Sequence, residues 1–474
     1  MNTQSTLGAL SDLVGADNVL TENSEVSFFS SDLFFEGVPA IAVIAPGSRV
    51  ELASAVKLCV EAGIAVLPRG GGLSYTAGYV QGSGSLEAMV LDTRRLNQIL
   101  DVNPDNMTIT MECGCTWEQV SQAAAEHGLR VTMPGPTTGR YSTIGGSLSN
   151  NSMFFSSAKT GTAADAVVGL DVVTADGTLI TTGSGAINNG VPFFRNNGPD
   201  LTGLFLSDAG SLGIKTAATL RLEPVPTGAA FASVAFESFE QMIPAVQAVG
   251  RSGLATECLA VGAIGGEAGP SLHLTVEGYT QDIADAQLAA LIGLMGSHGQ
   301  PQEPMVPKFI NENGFGFVQS PLDPKGRLQI WTHGVFAIGQ TLDAYTALTA
   351  VLDKHQAAMT EHGVDATMSF ACAGIAMMVE PVLFWTSKPT PLHLQGMAKV
   401  EAGQNTASDS SDSLVREIRN DIRTAMDGLG AAHMQYGRFY RYADATAEKT
   451  VELLAGIKGI VDPDRKLNPG VLGI

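Results

Sequence analysis

The sequence predicts an α+β chain of two domains, and three observations predict it. Short apolar strands mixed with a few helices fill the first half. A break at Pro224-Val225-Pro226 then changes the rhythm. Beyond it, strand–helix units occur twice, the pattern of an antiparallel sheet with helices packed on it. At 474 residues the chain has room for two or three domains and a large buried core.

The first half opens with an apolar run at 40–45, closed by Pro46-Gly47. Residues 48–63 read as a helix, with Ser48 as its cap, Leu52, Val56 and Val60 on its apolar side, and Gly63 as its stop. A second strand at 64–67 runs straight into Pro68-Arg69-Gly70-Gly71-Gly72-Leu73-Ser74-Tyr75. Strands recur at 88–91 and 107–112, and a helix spans 116–127. Residues 170–175 and 178–182 form a hairpin about Asp176-Gly177. In the second half, strand 271–278 precedes helix 283–296. Strand 329–338 precedes helix 342–362, which leads to strand 364–371. Residues 402–413 are rich in Ser, Asn and Asp and are expected to form a mobile surface loop. Helix 446–461 leads to Asn468-Pro469-Gly470.

Composition narrows the partners. A net charge of −20 and a pI near 4.7 argue against nucleic acid or an anionic membrane. Residues 1–18 show no secretion signal, and no apolar run is long enough to span a bilayer. Five scattered cysteines predict buried free thiols and a cytoplasmic location. Cys113 and Cys115 lack a second pair or a nearby His, and the eight histidines are dispersed, so no metal site is expected.

Four segments carry chemistry. The glycine triplet after a strand lets consecutive backbone N–H groups converge on one point, a nest suited to a diphosphate, with Ser74 and Thr76 as added donors. It is neither a GxGxxG turn nor a Walker loop, since no helix or Lys follows directly. The second segment, a further loop, is Pro134-Gly135-Pro136 followed by Thr143-Ile144-Gly145-Gly146-Ser147-Leu148-Ser149-Asn150. Its glycines permit close approach and its short polar side chains suit ring heteroatoms or phosphate. The third runs from Gly198 to Thr216, and the fourth is Asn468-Pro469-Gly470. Each of the last three is, by itself, an ordinary turn.

In order and spacing these segments resemble the FAD-binding domain of the vanillyl-alcohol-oxidase/PCMH family, over the N-terminal half and the last forty residues. The resemblance implies a PCMH-type FAD-binding fold at 1–225, completed by 437–474, and an α+β cap with an antiparallel sheet at 226–436. It implies FAD held by Arg69, Gly70, Gly71, Gly72, Leu73, Ser74 and Tyr75, by Pro134, Gly145, Gly146, Ser149 and Asn150, and by Ile214 and Asn468. It implies an FAD-linked oxidase or dehydrogenase with a small aromatic or alcohol substrate and O2 or another electron acceptor, and it is compatible with a homodimer. Many relatives tether the flavin through a His where this chain has Leu73, so non-covalent FAD is expected. His333 and His393, on apparent cap strands, are the alternative tethers; the plainer reading of each is a satisfied surface or core histidine.

Two branches compete for the substrate. The 2-hydroxy-acid dehydrogenases carry Glu-His-Gly ahead of the last helix, where this chain reads Ala432-His433-Met434; Glu361-His362-Gly363 falls too early. The branch oxidising para-substituted phenols carries a Tyr-Arg pair there, and Tyr440-Arg441 resembles it. A phenolate pushes electrons through its ring, and a cation with a hydroxyl donor stabilises the oxygen. The expected catalytic residues are therefore Tyr440 and Arg441, acting on a lignin-like phenol, against a plain packing role for the dipeptide. Phenol oxidases often carry an acid at Ser149 and a Tyr at Leu73, and this chain departs from both. Cap residues Met359, Met368, Met377, Met378, Met397, Phe370, Phe384 and Trp385 suit an aromatic ligand or a plain core. The alternatives are a hydroxy-acid, sugar or lactone dehydrogenase, and a non-catalytic flavin-binding protein.

Overall fold

The computed structural model describes residues 2–82, 84, 86–264, 269–296, 299–316, 322–394 and 409–474. The chain divides into two compact units. One comprises 1–152, 163–224 and 435–474, and the other comprises 153–162 and 225–434.

The first unit holds two sheets. In the four-stranded sheet, Ala42–Ile44 and Ala65–Arg69 flank Ala88–Asp92 in parallel, and Val19–Leu20 adds an antiparallel edge. All five residues of Ala88–Asp92 are buried, as a parallel strand covered on both faces requires. Helix Arg49–Glu61 starts where Ser48 Oγ accepts from Glu51 N at 3.2 Å, and it packs Leu52, Val56 and Cys59 onto this sheet. In the second sheet, all antiparallel, Ile214–Pro224 is the long central strand, paired to Thr108–Glu112 on one side and Val167–Val173 on the other. Helix Trp117–Ala125 begins with a capping box between Thr116 and Gln119.

The second unit is built on an eight-stranded antiparallel sheet in the order Gln300–Gln302, Gly228–Ala235, Ser271–Gly278, Glu257–Ala263, Asp365–Ala373, Ala376–Trp385 and Leu328–Trp331, with Gly334–Ala337 also on Ala376–Trp385. Helices Phe239–Ser252, Gln281–Met295, Thr341–His362 and Asp409–Gly428 belong to it. Ser238 and Thr280 cap the first two through the N–H groups of Gln241 and Ile283. The α+β architecture with an antiparallel cap is as the sequence predicts.

The structure corrects four local readings. Residues 143–150 are a helix, Ile144–Asn150, rather than a loop, because Thr143 Oγ1 accepts from Gly146 N at 3.3 Å and starts it. The strand expected at 329–338 is two strands, broken at Thr332-His333 where His333 turns into the core. His393 lies in the short helix Pro391–Leu394, where Thr390 Oγ1 lies 2.8 Å from its Nδ1. Of the loop expected at 402–413, residues 402–408 and Met397 before them lie outside the described residues, and 409 onward begins helix Asp409–Gly428. Among the described residues no helix is long and apolar enough to cross a membrane.

Candidate cofactor site

Strand Ala65–Arg69 delivers the glycine triplet, and the triplet is pressed against the chain that precedes helix Ile144–Asn150. A β-carbon at Gly70 would sit 2.2 Å from Thr143 Oγ1, and one at Gly71 would sit 2.2 Å from the carbonyl oxygen of Tyr141. No side chain fits at either distance. Gly72 has φ +77°, and its β-carbon would meet the Arg69 guanidinium at 2.2 Å. The two motifs are therefore one backbone contact. Leu73 and Tyr75 are half-buried, and Ser74 is buried with its Oγ 3.1 Å from Thr76 Oγ1.

The second segment hangs from residues 113–115. Ile144 N donates to Cys115 O and Gly145 N to Cys113 O, each at 2.8 Å, and a β-carbon at Gly145 would lie 2.9 Å from that of Cys113. Trp117 Nε1 donates to Ser147 Oγ at 2.7 Å, and its ring lies against buried Gly135, which follows half-buried Pro134. At the far end the carbonyls of Ser149 and Asn150 accept from Ala209 N and Gln435 N, both at 2.9 Å. Ile214 is buried at the start of the central strand, opposite Val173.

Asn468 binds these segments together. Its Nδ2 donates to Gly78 O at 2.7 Å and to Ala209 O at 2.6 Å, its Oδ1 accepts from Arg438 Nη2 at 2.8 Å, and its own N–H donates to Val66 O. Arg438 also donates to the carbonyls of Ala77, Gly78 and Pro469. Burial pulls its guanidinium down to about 10. Beneath lie two fully buried ion pairs, Lys215–Asp208 and Lys458–Asp462, each at 2.5 Å. Lys458 Nζ also donates to the carbonyls of Ser211 and Leu467. None of these five charged residues was singled out from the sequence. The one available signal was the i,i+4 spacing of Lys458 and Asp462 on the last helix.

Tyr440 and Arg441, adjacent in the chain, meet different surroundings. Tyr440 is 2% exposed, with its ring centroid 4.9 Å from that of Phe439 and 6.5 Å from that of Tyr436, while Arg441 is exposed.

In the cap unit His333 is fully buried, with Nε2 2.9 Å from Met434 O and Nδ1 3.8 Å from Glu380 Oε1. Burial pulls His333 down to about 3 and His393 to about 4, and pushes Glu380 up to about 7. Met359, Met368, Met377, Met378, Phe370 and Trp385 are core residues. The five cysteines are free and buried, and burial pushes the thiols of Cys59 and Cys115 up to about 12. Among the described residues one group has the spacing of a cation site, His355, Glu417 and Asp421. Its Asp421 is already paired to Lys354 at 2.7 Å and His355 at 2.9 Å.

Residues 40–183 match the family model for an FAD binding domain. Apart from 153–162, that stretch lies within the first unit, and it includes both the glycine triplet and helix Ile144–Asn150. Among curated relatives, the glycolate oxidase subunit GlcD of Bacillus subtilis is 36% identical over 185 residues, 39% of this chain and 37% of that one. A D-2-hydroxyglutarate dehydrogenase of Xanthomonas citri is 30% identical over 236 residues, 50% and 48% of the two chains. The matches thus span less than half of those relatives. In fold, the chain is similar over 99% of its length to p-cresol methylhydroxylase, with a TM-score of 0.76, 17% identity and 96% of that chain covered. It is similar over the same share to a 4-ethylphenol oxidase from Gulosibacter chungangensis, with a TM-score of 0.75, 18% identity and 97% covered. The residues present fit the FAD that such a domain implies: the triplet presents bare backbone N–H groups with no side chain over them, seated on 141–143, and a buried arginine lies directly against it.

Proposed function

We propose that this chain is an FAD-dependent oxidoreductase that takes hydride from a carbon bearing a hydroxyl group. The observation that supports it is the contact of the Gly70-Gly71 backbone with Tyr141 and Thr143, inside the stretch that matches the FAD domain. FAD, when bound, supplies the hydride acceptor. The chain's own part is to hold it through 69–75 and 143–150, with Ile214 at the start of the central strand, and to keep Asn468 and Arg438 locked behind the loop. With Leu73 at the usual tethering position, FAD is held non-covalently, so acid or heat releases it into the supernatant. Flavin that stays with the precipitated polypeptide would overturn this point.

For the substrate, the curated relatives favour the 2-hydroxy-acid class over the para-substituted phenol expected first from the sequence. Their names are glycolate oxidase subunit, D-2-hydroxyglutarate dehydrogenase and, at 31% identity over 44% of this chain, D-lactate dehydrogenase. A second reading keeps the phenol. Tyr440 lies buried among Tyr436 and Phe439, an aromatic surround suited to a phenol ring, with Arg441 next in the chain. Anaerobic mixing of the purified flavoprotein with glycolate, D-lactate and D-2-hydroxyglutarate, and separately with 4-ethylphenol, tests both. Bleaching of the flavin absorbance by a hydroxy acid supports the first reading, and bleaching by 4-ethylphenol alone replaces it with the second. Bleaching by neither leaves a flavoprotein of other specificity.

A further inference from the structure

Arg69 is the last residue of its strand and lies under the glycine triplet, with Nη2 against the α-carbon of Gly72. It is 2% exposed. Its charged carbon sits 4.6 Å from the ring centroid of Phe29, 5.4 Å from that of Phe28 and 5.5 Å from that of Tyr79. Nε and Nη1 meet no hydrogen-bond acceptor among the described residues. Arg69 forms no ion pair among the described residues. Asp92, its partner in the sheet register, is held by Arg94 at 2.7 Å, and Asp32 accepts from the backbone N–H groups of Phe34, Phe35 and Ala77. A buried cation without an anion in direct contact is costly, and ring faces repay only part of the cost.

Building on the FAD reading above, we infer that Arg69 is a preformed countercharge for the cofactor's diphosphate, acting through the glycine loop rather than by direct contact. Its Nε and Nη1 are sealed from solvent, so they are not donors into an open site. The interaction is Coulombic, and in a poorly screened interior it reaches several ångströms. A merely structural arginine would stabilise the empty protein. A preformed countercharge weakens the empty protein and strengthens the one loaded with a dianion.

The test uses full-length protein stripped of flavin and retitrated with FAD and with riboflavin, which lacks phosphate. In Arg69→Met, FAD affinity should fall about tenfold or more while riboflavin affinity changes less than threefold. The thermal midpoint of the flavin-free protein should hold or rise. Arg69→Lys, which keeps the charge, should hold FAD within a few-fold of wild type. Equal losses for both ligands, a flavin-free Arg69→Met with a lowered midpoint, or unchanged FAD affinity would overturn the inference. Wild-type protein that takes up riboflavin and FAD alike would overturn it while leaving a flavin site. Uptake of neither would overturn the FAD reading itself.

Discussion

In the first unit the loop contacts are made by glycine backbones pressed close on their neighbours. Gly70 meets Thr143, Gly71 meets the Tyr141 carbonyl, Gly145 meets Cys113 and Gly437 meets the Thr76 carbonyl, all at distances that exclude a β-carbon. In the cap unit the charged chemistry is in side chains set into a large antiparallel sheet: His333, Glu380 and Ser369 around Ala376–Trp385, with His433 beside them. The difference teaches where each kind of information is written. A cofactor grip made of backbone demands glycine, which a sequence displays. Buried polar side chains set on a sheet are residue types that also fill cores.

The harshest way to break the comparison is Gly71→Val. The new β-carbon would collide with a backbone carbonyl that the capped helix after it holds in place, so FAD binding should be lost entirely. Gly82→Val is the matched control, since a β-carbon there meets nothing within 4 Å and occupancy should stay near wild type. Flavin content of the two purified variants decides the matter. Normal occupancy in Gly71→Val would mean that the diphosphate lies elsewhere.

Much of this unit was legible. Ser48 and Thr116 cap the helices the sequence assigned to them, and Gly63 ends the first at φ +77°. The Gly145-Gly146 segment was misread because two glycines lower helix propensity, while the cap at Thr143 and the two hydrogen bonds to 113–115 restore it from outside. Arg438, Lys215 and Lys458 were invisible because a lone basic residue on an acidic chain looks solvated, and only tertiary contacts bury the two lysines and half-bury the arginine. In the cap, His333 broke an expected strand because its ring finds Met434 and Glu380, residues distant in sequence.

Next in size is the phenol test of Tyr440 and Arg441. If they hold a phenolate, Tyr440→Phe and Arg441→Lys should each slow bleaching by 4-ethylphenol by about a hundredfold, roughly 3 kcal/mol, with flavin content unchanged. The O-methyl ether of the substrate should fail as well. Wild-type bleaching rates in both variants would leave Tyr440 as packing for Tyr436 and Phe439.

Asn468→Ala sharpens the account of the first unit. It removes three side-chain hydrogen bonds, strands the Ala209 carbonyl, leaves that of Gly78 only its longer bond from Arg438, and places alanine at φ +42°. A loss of roughly 2–3 kcal/mol of stability is expected, read by urea unfolding of flavin-free protein. A loss of FAD without a loss of stability would instead make Asn468 a direct ligand.

The smallest effect concerns the cap and is a pH dependence. Burial pushes the Glu380 carboxyl up to about 7 from an ordinary value of 4.5, so between those values the folded protein holds a proton that the unfolded chain releases. Stability from this group is fully present below pH 4.5 and is lost as pH rises through 7. His333 runs oppositely. Burial pulls it down to about 3 from 6.5, so its contribution is present above pH 6.5 and is lost as pH falls toward 3. Glu380→Gln keeps a neutral hydrogen-bonding group beside Ser369 and removes only the first dependence. Between pH 5 and pH 8 the variant should gain roughly 2 kcal/mol of stability on wild type. Thermal midpoints of flavin-free protein at the two pH values measure it. A variant that gains nothing between them would mean that Glu380 is held ionised by a cation, and His333, 3.8 Å away, would be the first residue to change next.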